Sequence, residues 1–270
     1  MQRALVKVDV APLYLKPEVG AERDDEMLYG MTAEILERID ESWLKVRTPY
    51  RYESFIESKY LCFDEKELEY YDNFELRLVL RQTADLIDGE TMQHPILFMV
   101  TRGALLVTLG KDDTWTRVRM IGGKTAFIRN SHLTAYKSQR DVDEDEFRRG
   151  VTATAMSYLG TQYRWGGRTP LGIDCSGLCG ESYLINGVTI YRNARIEEGF
   201  PVHRIAFEDI KPGDLLYFPR HIAMYLGGGY YINSTSAAGS DGVVINSLNE
   251  GDPKYREDHA KNILYVGSIF

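Results

Sequence analysis

Cysteine is scarce in this 270-residue chain: there are three, Cys62, Cys175 and Cys179. An odd number cannot all pair, so a disulfide framework is not expected, and a thiol left free suits a reducing compartment. No apolar run in the sequence approaches the roughly 20 residues needed to cross a bilayer. Positive charge is not in excess either, because 32 Lys and Arg stand against 40 Asp and Glu, a net charge of −8. Without a basic cluster, the sequence is not expected to grip nucleic acid or an anionic membrane. The stretch from Met1 to Val8 lacks the apolar core and small-residue cleavage site of a secretory signal. The expectation is therefore a cytoplasmic protein, or an exported one from which the signal has been removed. The remaining composition, 44% hydrophobic and 27% charged, is that of an ordinary globular chain long enough for two or three small domains.

The first half repeats itself. Asp40, Trp43, Val46, Arg47, Phe55, Ile56 and Leu61 each recur 72 positions later, as Asp112, Trp115, Val118, Arg119, Phe127, Ile128 and Leu133. Upstream, LYGMTAEIL and VTRGALLVTL are similar runs displaced by one extra residue. Both copies alternate apolar and polar residues over short stretches separated by Gly, Pro and Asp, which predicts small antiparallel barrels rather than helices.

A charged stretch at Ser138–Glu146 reads as a domain boundary. Beyond it, Val151, Ala155, Tyr158 and Leu159 fall on one helical face. A second helix is expected after Asp174, with Leu178, Tyr183 and Ile185 on its buried side. Three strand patterns follow a Lys211-Pro212-Gly213-Asp214 turn: Leu215–Phe218, Ile222–Leu226 and Tyr230–Ser234. Helix first and antiparallel sheet afterwards is an α+β domain.

Cys175 stands out chemically. Asp174 is a good N-cap residue and would put Cys175 in the first helical turn. There the unpaired N–H groups and the positive end of the dipole favour a thiolate, and the same groups can hold an oxyanion. Gly177 is read as letting substrate come close. The alternative is that Cys175 is simply a small buried residue, as Cys179 is taken to be. Of the five histidines, His94 and His132 look structural, His203 lies in a loop and His259 in a charged stretch. Only His221 opens a well-patterned strand. If Gly227 and Gly228 form a two-residue hairpin, residue 221 pairs with 234 and Asn233 lies diagonal to His221. An amide there would orient the imidazole, giving Cys–His–Asn, a known arrangement for acyl transfer.

Five stretches in order now carry a resemblance: Tyr163-Arg164-Trp165-Gly166-Gly167, Asp174-Cys175-Ser176-Gly177-Leu178, Pro212-Gly213-Asp214-Leu215, His221-Ile222-Ala223-Met224-Tyr225-Leu226-Gly227 and Tyr231-Ile232-Asn233. Residues from about 147 to 270 resemble the NlpC-type papain-like cell-wall endopeptidases. The W-x-K/R-V-R … F-I pattern of the repeats is similar to the bacterial SH3-like module of cell-wall proteins. The resemblance implies a multidomain chain: SH3-like barrels at 1–65 and, more divergent, at 66–140, then an α+β papain-like catalytic domain at 145–270. It implies Cys175 as nucleophile, His221 as general base and acid, Asn233 as the orienting residue, and Tyr163 near the oxyanion; Tyr163 packing under Trp165 is the structural alternative. Asn233 departs from the histidine often third in the family.

Two such modules ahead of this domain resemble the γ-D-glutamyl-L-diamino-acid endopeptidases, which act on short peptides such as L-Ala-γ-D-Glu-diaminopimelate with a free N-terminal L-Ala. Tyr50 and Tyr52 are replaced by Gly122 and Lys124 in the second copy, so a duty of the first copy alone is expected. Tyr52, Asp174 and Ser176 are candidates to read the substrate's α-amine, with Tyr50 and Glu26 as further candidates; Tyr52 as a loop aromatic and Asp174 as a cap alone are the alternatives. After Arg192, relatives often carry an acidic residue and a small or hydroxyl residue where this chain has Asn193 and Ala194; if that segment reads the diamino acid, Asn193 bears on the choice between lysine and diaminopimelate, which the sequence leaves open. Other functions remain: a broader amidase or D,L-endopeptidase acting on intact wall, or a non-catalytic wall-peptide binder. The expected partner is a small murein peptide, with no nucleic acid or membrane. A monomer is expected, without metal or organic cofactor.

Overall fold

The computed structural model describes residues 2–136 and 143–270. The boundary stretch read at Ser138–Glu146 therefore lies outside the described residues as far as 142. The chain divides into two compact units, one ending at Tyr136 and the other running from Lys137 to Phe270.

The first unit holds two seven-stranded antiparallel sheets. One comprises Arg3–Val6, Val10–Tyr14, Arg23–Leu28, Thr32–Arg38, Trp43–Arg47, Glu53–Glu57 and Leu61–Cys62. The other comprises Leu76–Val79, Thr83–Ile87, Ile96–Thr101, Leu105–Lys111, Trp115–Arg119, Thr125–Arg129 and Leu133–Ala135. Numbering the strands of each from its own first, both sheets have the order three, two, six, five, four, one, seven, so the sequence repeat is a repeat of topology. The recurring residues have local reasons. Asp40 Oδ1 accepts the N–H groups of Ser42 and Trp43 at 2.7 and 2.8 Å. Asp112 Oδ1 accepts those of Thr114 and Trp115, both at 2.6 Å. Each aspartate closes the turn that launches a Trp strand. Bulges fall at equivalent places, between Ile35 and Glu37 and between Thr108 and Gly110.

One element goes against the all-strand reading: Glu65–Asn73 is a helix. The Asp64 side chain caps it by accepting the Lys66 N–H, and Glu65 and Glu67 sit favourably in its first turn. Tyr71 reaches the Leu105 carbonyl at 3.2 Å, and Arg119 pairs with Glu67 at 2.9 Å, so the helix braces the second sheet. Tyr29 of the first copy is buried in the second copy's core beside Val79, Leu106 and Val118, and its hydroxyl accepts the Ile121 N–H at 2.6 Å. The next residue, Gly30, has φ +78°, and a Cβ there would lie 2.1 Å from the Leu105 carbonyl oxygen.

In the second unit, helices Glu144–Met156 and Cys175–Ile185 pack against an antiparallel six-stranded sheet. Its spatial order is His203–Ile205, Tyr265–Ser268, Leu215–Phe218, His221–Gly227, Tyr230–Thr235, Gly242–Ser247. Leu215, Tyr217, Ile222, Met224 and Ile232 join the helices in one core, while Leu216, Phe218, Ala223, Tyr231 and Val266 form a cluster of their own. That is the period-two alternation of a sheet covered on both faces. Val151, Ala155 and Tyr158 are buried as expected, but Leu159 is 43% exposed. The helix ends at Met156, so helical periodicity no longer decides where Leu159 points. Leu178 and Tyr183 are buried as expected, whereas Ile185, the last helical residue, is only half-buried.

Candidate active site

Asp174 has extended backbone geometry, and its carboxylate accepts the Gly177 N–H at 2.6 Å. This N-cap makes Cys175 the first residue of its helix. The sequence expectation that the helix start would favour the thiolate does not hold for the resting site. Burial, and then the Asp174 charge, push the Cys175 thiol up to about 12; the N–H groups of Ile222 and Ser176 and the Arg192 charge offset only part of this. A helix terminus contributes about 0.3–1 kcal/mol at an exposed site, less than the cost of burying an anion in apolar surroundings. Cys175 therefore rests as a thiol and would need a base to act as a nucleophile.

The thiol's contact with the Ile222 N–H sets it beside the start of the strand His221–Gly227. His221 Nε2 lies 3.0 Å from Asn233 Oδ1. The hairpin that brings them together turns on Gly228 and Gly229, not on Gly227 and Gly228: Gly227 pairs with Tyr230, a bulge follows, and Tyr225 pairs with Tyr231. The bulge changes the register from the one expected, yet His221 and Asn233 still meet. Asn233 Nδ2 donates to Asn246 Oδ1 at 2.9 Å and to the Val244 carbonyl at 3.4 Å. The amide oxygen is thus the atom turned to His221, so Nε2 carries the proton and Nδ1 is left as the basic nitrogen. Burial lowers the His221 pKa below its ordinary value, opposed by the Asn233 hydrogen bond. The ring is neutral, and able to accept a proton, at neutral pH.

Around this pair the Asp174 carboxylate is heavily subscribed. It accepts Arg192 Nη1 and Nη2 at 3.1 and 3.0 Å, the Gly166 N–H at 2.9 Å and the Ser176 hydroxyl at 3.1 Å. Arg192 also donates to Ser176 Oγ at 2.7 Å. The structure thus brings Asp174, Ser176 and Arg192 together; Asn193 follows Arg192 and is half-buried. Gly177 is not a surface for substrate: it is buried, and a Cβ on it would lie 2.2 Å from the Gly167 carbonyl oxygen. Its role is to let the helix dock on the Gly166–Gly167 loop. Tyr163 bridges Ile173. Burial, then the neighbouring Cys175, hold its phenol above the ordinary range, so it stays a hydrogen-bond donor.

The first-unit candidates form a group of their own. Tyr50 Oη donates to Asp25 Oδ2 at 2.6 Å and Tyr52 Oη to Asp24 Oδ1 at 2.8 Å. Ser54 Oγ donates to Asp24 Oδ2, also at 2.8 Å. Tyr50 and Glu26 are buried, Glu26 paired with Arg23, and Tyr52 is half-buried. The sequence reading missed Asp24, Asn246 and His259. A buried asparagine inside the strand GVVINS was the available signal for Asn246; nothing local marked the other two. Among the described residues, no group of three His, Cys, Asp or Glu side chains could hold a metal ion.

A thiol at a helix start, in contact with the N–H of the residue that follows a neutral, amide-oriented imidazole, is an arrangement suited to nucleophilic acyl transfer. Comparison with known proteins points the same way. The NlpC/P60 family profile matches residues 160–261. Dipeptidyl-peptidase 6 of Lysinibacillus sphaericus is 39% identical over 99% of this chain and 99% of its own. The γ-D-glutamyl-L-lysine dipeptidyl-peptidase of Bacillus cereus is 31% identical over 75% of this chain and 63% of its own. A crystal structure of an NlpC/P60 family protein from Bacillus cereus shares the fold, with a TM-score of 0.80, 21% identity and 98% of each chain covered. The chain belongs to the NlpC/P60 family, a family of peptidoglycan-related peptidases.

Proposed function

We propose that this protein is a cysteine endopeptidase that cleaves the γ-D-glutamyl–L-diamino acid bond of short murein peptides bearing a free N-terminal L-Ala, in the recycling of wall peptides. The observation that carries this reading is the His221–Asn233 pair on the strand whose Ile222 N–H contacts the Cys175 thiol, in a chain related along nearly its whole length to a dipeptidyl-peptidase. The relatives named γ-D-glutamyl-L-lysine dipeptidyl-peptidases support the bond assignment.

In this mechanism His221 Nδ1 takes the Sγ proton as sulfur attacks the carbonyl carbon. The helix-start N–H groups and the Tyr163 hydroxyl stabilise the oxyanion. The imidazolium returns the proton to the leaving amine, and water, deprotonated by the same ring, releases the acyl group from sulfur. Asp174, Ser176, Arg192 and Asn193 are the proposed substrate-reading side chains of the second unit. Tyr52, with Tyr50 and Glu26, is the proposed amine-reading group of the first unit, whose two repeats we assign to the SH3-like class on their common strand order and Trp-strand pattern.

The test is incubation with L-Ala-γ-D-Glu-L-Lys, its diaminopimelate counterpart and N-acetylated copies of both, with products read by mass spectrometry and Cys175→Ala as control. The expected result is release of L-Ala-γ-D-Glu from the free-amine peptides alone, lost in Cys175→Ala. Equal cleavage of acetylated peptides would remove the amine requirement and point to a broader wall hydrolase. No cleavage of any of the four by folded, reduced protein would overturn the assignment.

A further inference from the structure

His259 lies 38 residues beyond His221 in sequence yet packs beside it. The two ring centroids are 5.0 Å apart at 34°. The other neighbour of His259 is Phe218, stacked at 4.6 Å and 25°, and Phe218 in turn lies 5.9 Å from His221. Tyr231 Oη is 2.7 Å from His259 Nδ1. Burial holds the Tyr231 phenol well above its ordinary range, so its hydroxyl stays protonated beside Nδ1 and ties the imidazole to its strand in either ring tautomer. Two aromatic groups from two strands, Phe218 and Tyr231, thus fix one imidazole against the side of another. We propose that His259 is a positioning residue for the base: its ring, held by Tyr231 and Phe218, closes one side of His221, keeps water from it and steadies the orientation that Asn233 sets.

The charges around the pair fit this role. Asp174 acts on His221 from the helix start, where the neighbouring Cys175 thiol meets the Ile222 N–H; Asn233 faces it from the next strand; Arg256, Asp258 and His259 face it from the C-terminal segment, and Tyr231 reaches the pair through His259. Arg256 and Asp258 neutralise one another through two hydrogen bonds of 2.9 and 2.7 Å. Burial, then His221 and Arg256, lower His259 to about 4, against the opposing pull of Asp258. The packing ring is therefore uncharged throughout the range in which His221 must accept a proton. Without that ring, water would reach the imidazole, stabilise its cation and raise its pKa.

This inference rests on the Cys175–His221 pairing of the proposed function but not on the substrate, so the test reads the thiol. The full chain is alkylated with iodoacetamide between pH 4.5 and 8.5, the rate at Cys175 is followed by mass spectrometry, and His221→Ala is the control. His259→Ala is expected to slow alkylation at pH 7 about tenfold and to move the acid limb to higher pH. His259→Phe, which restores a flat ring, is expected to stay within about threefold of the natural protein and to keep the limb low. Natural behaviour in His259→Ala would overturn the proposal, and so would a loss in His259→Phe as large as in His259→Ala. Should His259→Ala fail to fold, Tyr231→Phe decides: a smaller fall with the limb moved the same way supports the role, and an unchanged profile refutes it. A His221→Ala profile identical to the natural one would instead defeat the Cys–His pairing, an outcome separate from the fate of His259.

Discussion

Asn233 turns its oxygen to His221 and spends its amide hydrogens on Asn246 and Val244. The donor side is therefore what fixes the acceptor side. In Asn246→Ala the amide loses its strongest restraint, and kcat on the free-amine peptide is expected to fall about tenfold with KM nearly unchanged; a rise in KM alone would place Asn246 in binding instead. The pH dependence has a definite sign. His221 must be neutral to accept a proton and its pKa is lowered by burial, so kcat/KM should fall only as pH drops through a value below 6.5. An acid limb above that value would contradict the buried, neutral base. Cys175, His221 and Asn233 were legible because cap, strand start and hairpin are local signals. Asn246 and His259 were not, since their roles arise from pairing across strands and from a chain return that no neighbouring residue encodes.

Elements dock here through glycine and aspartate as much as through apolar side chains. Gly177→Ala sets a methyl against the Gly167 carbonyl, so the helix Cys175–Ile185 must shift; a lowered melting temperature and, on the proposed function, loss of peptide cleavage are expected together. Asp40→Ala and Asp112→Ala each remove a turn acceptor for two N–H groups and are expected to cost about 1 kcal/mol apiece in urea unfolding. The repeat made the strands readable, down to the one-residue displacement upstream, which the matching strands Thr32–Arg38 and Leu105–Lys111 reproduce. The helix Glu65–Asn73 went unread because it lies between the copies, with a mostly charged surface and only a short buried stripe of Glu67, Leu68 and Tyr71.

At the scale of the whole molecule, acid stability should show two causes in two windows. His221 and His259 are held neutral, with His259 at about 4, against an ordinary unfolded value near 6.5. Between these values the unfolded chain binds protons that the folded chain refuses, so stability falls as pH drops from about 6.5 toward 4. Carboxylates with lowered values, such as Asp258 at about 2, contribute stability that is lost only below that range. Urea midpoints measured from pH 7 to 3 should therefore decline in both windows, and His259→Phe should flatten the first and spare the second. An unchanged first window in that variant would show that His259 does not govern it.

The raised Cys175 thiol has a consequence beyond turnover. Peroxide attacks thiolates, and a sulfur whose burial holds it as a thiol until its own histidine takes the proton offers less of one than an exposed, low-pKa cysteine does. Such a thiol trades instant reactivity for endurance: held protonated by its surroundings, it meets oxidants more slowly than a standing thiolate would.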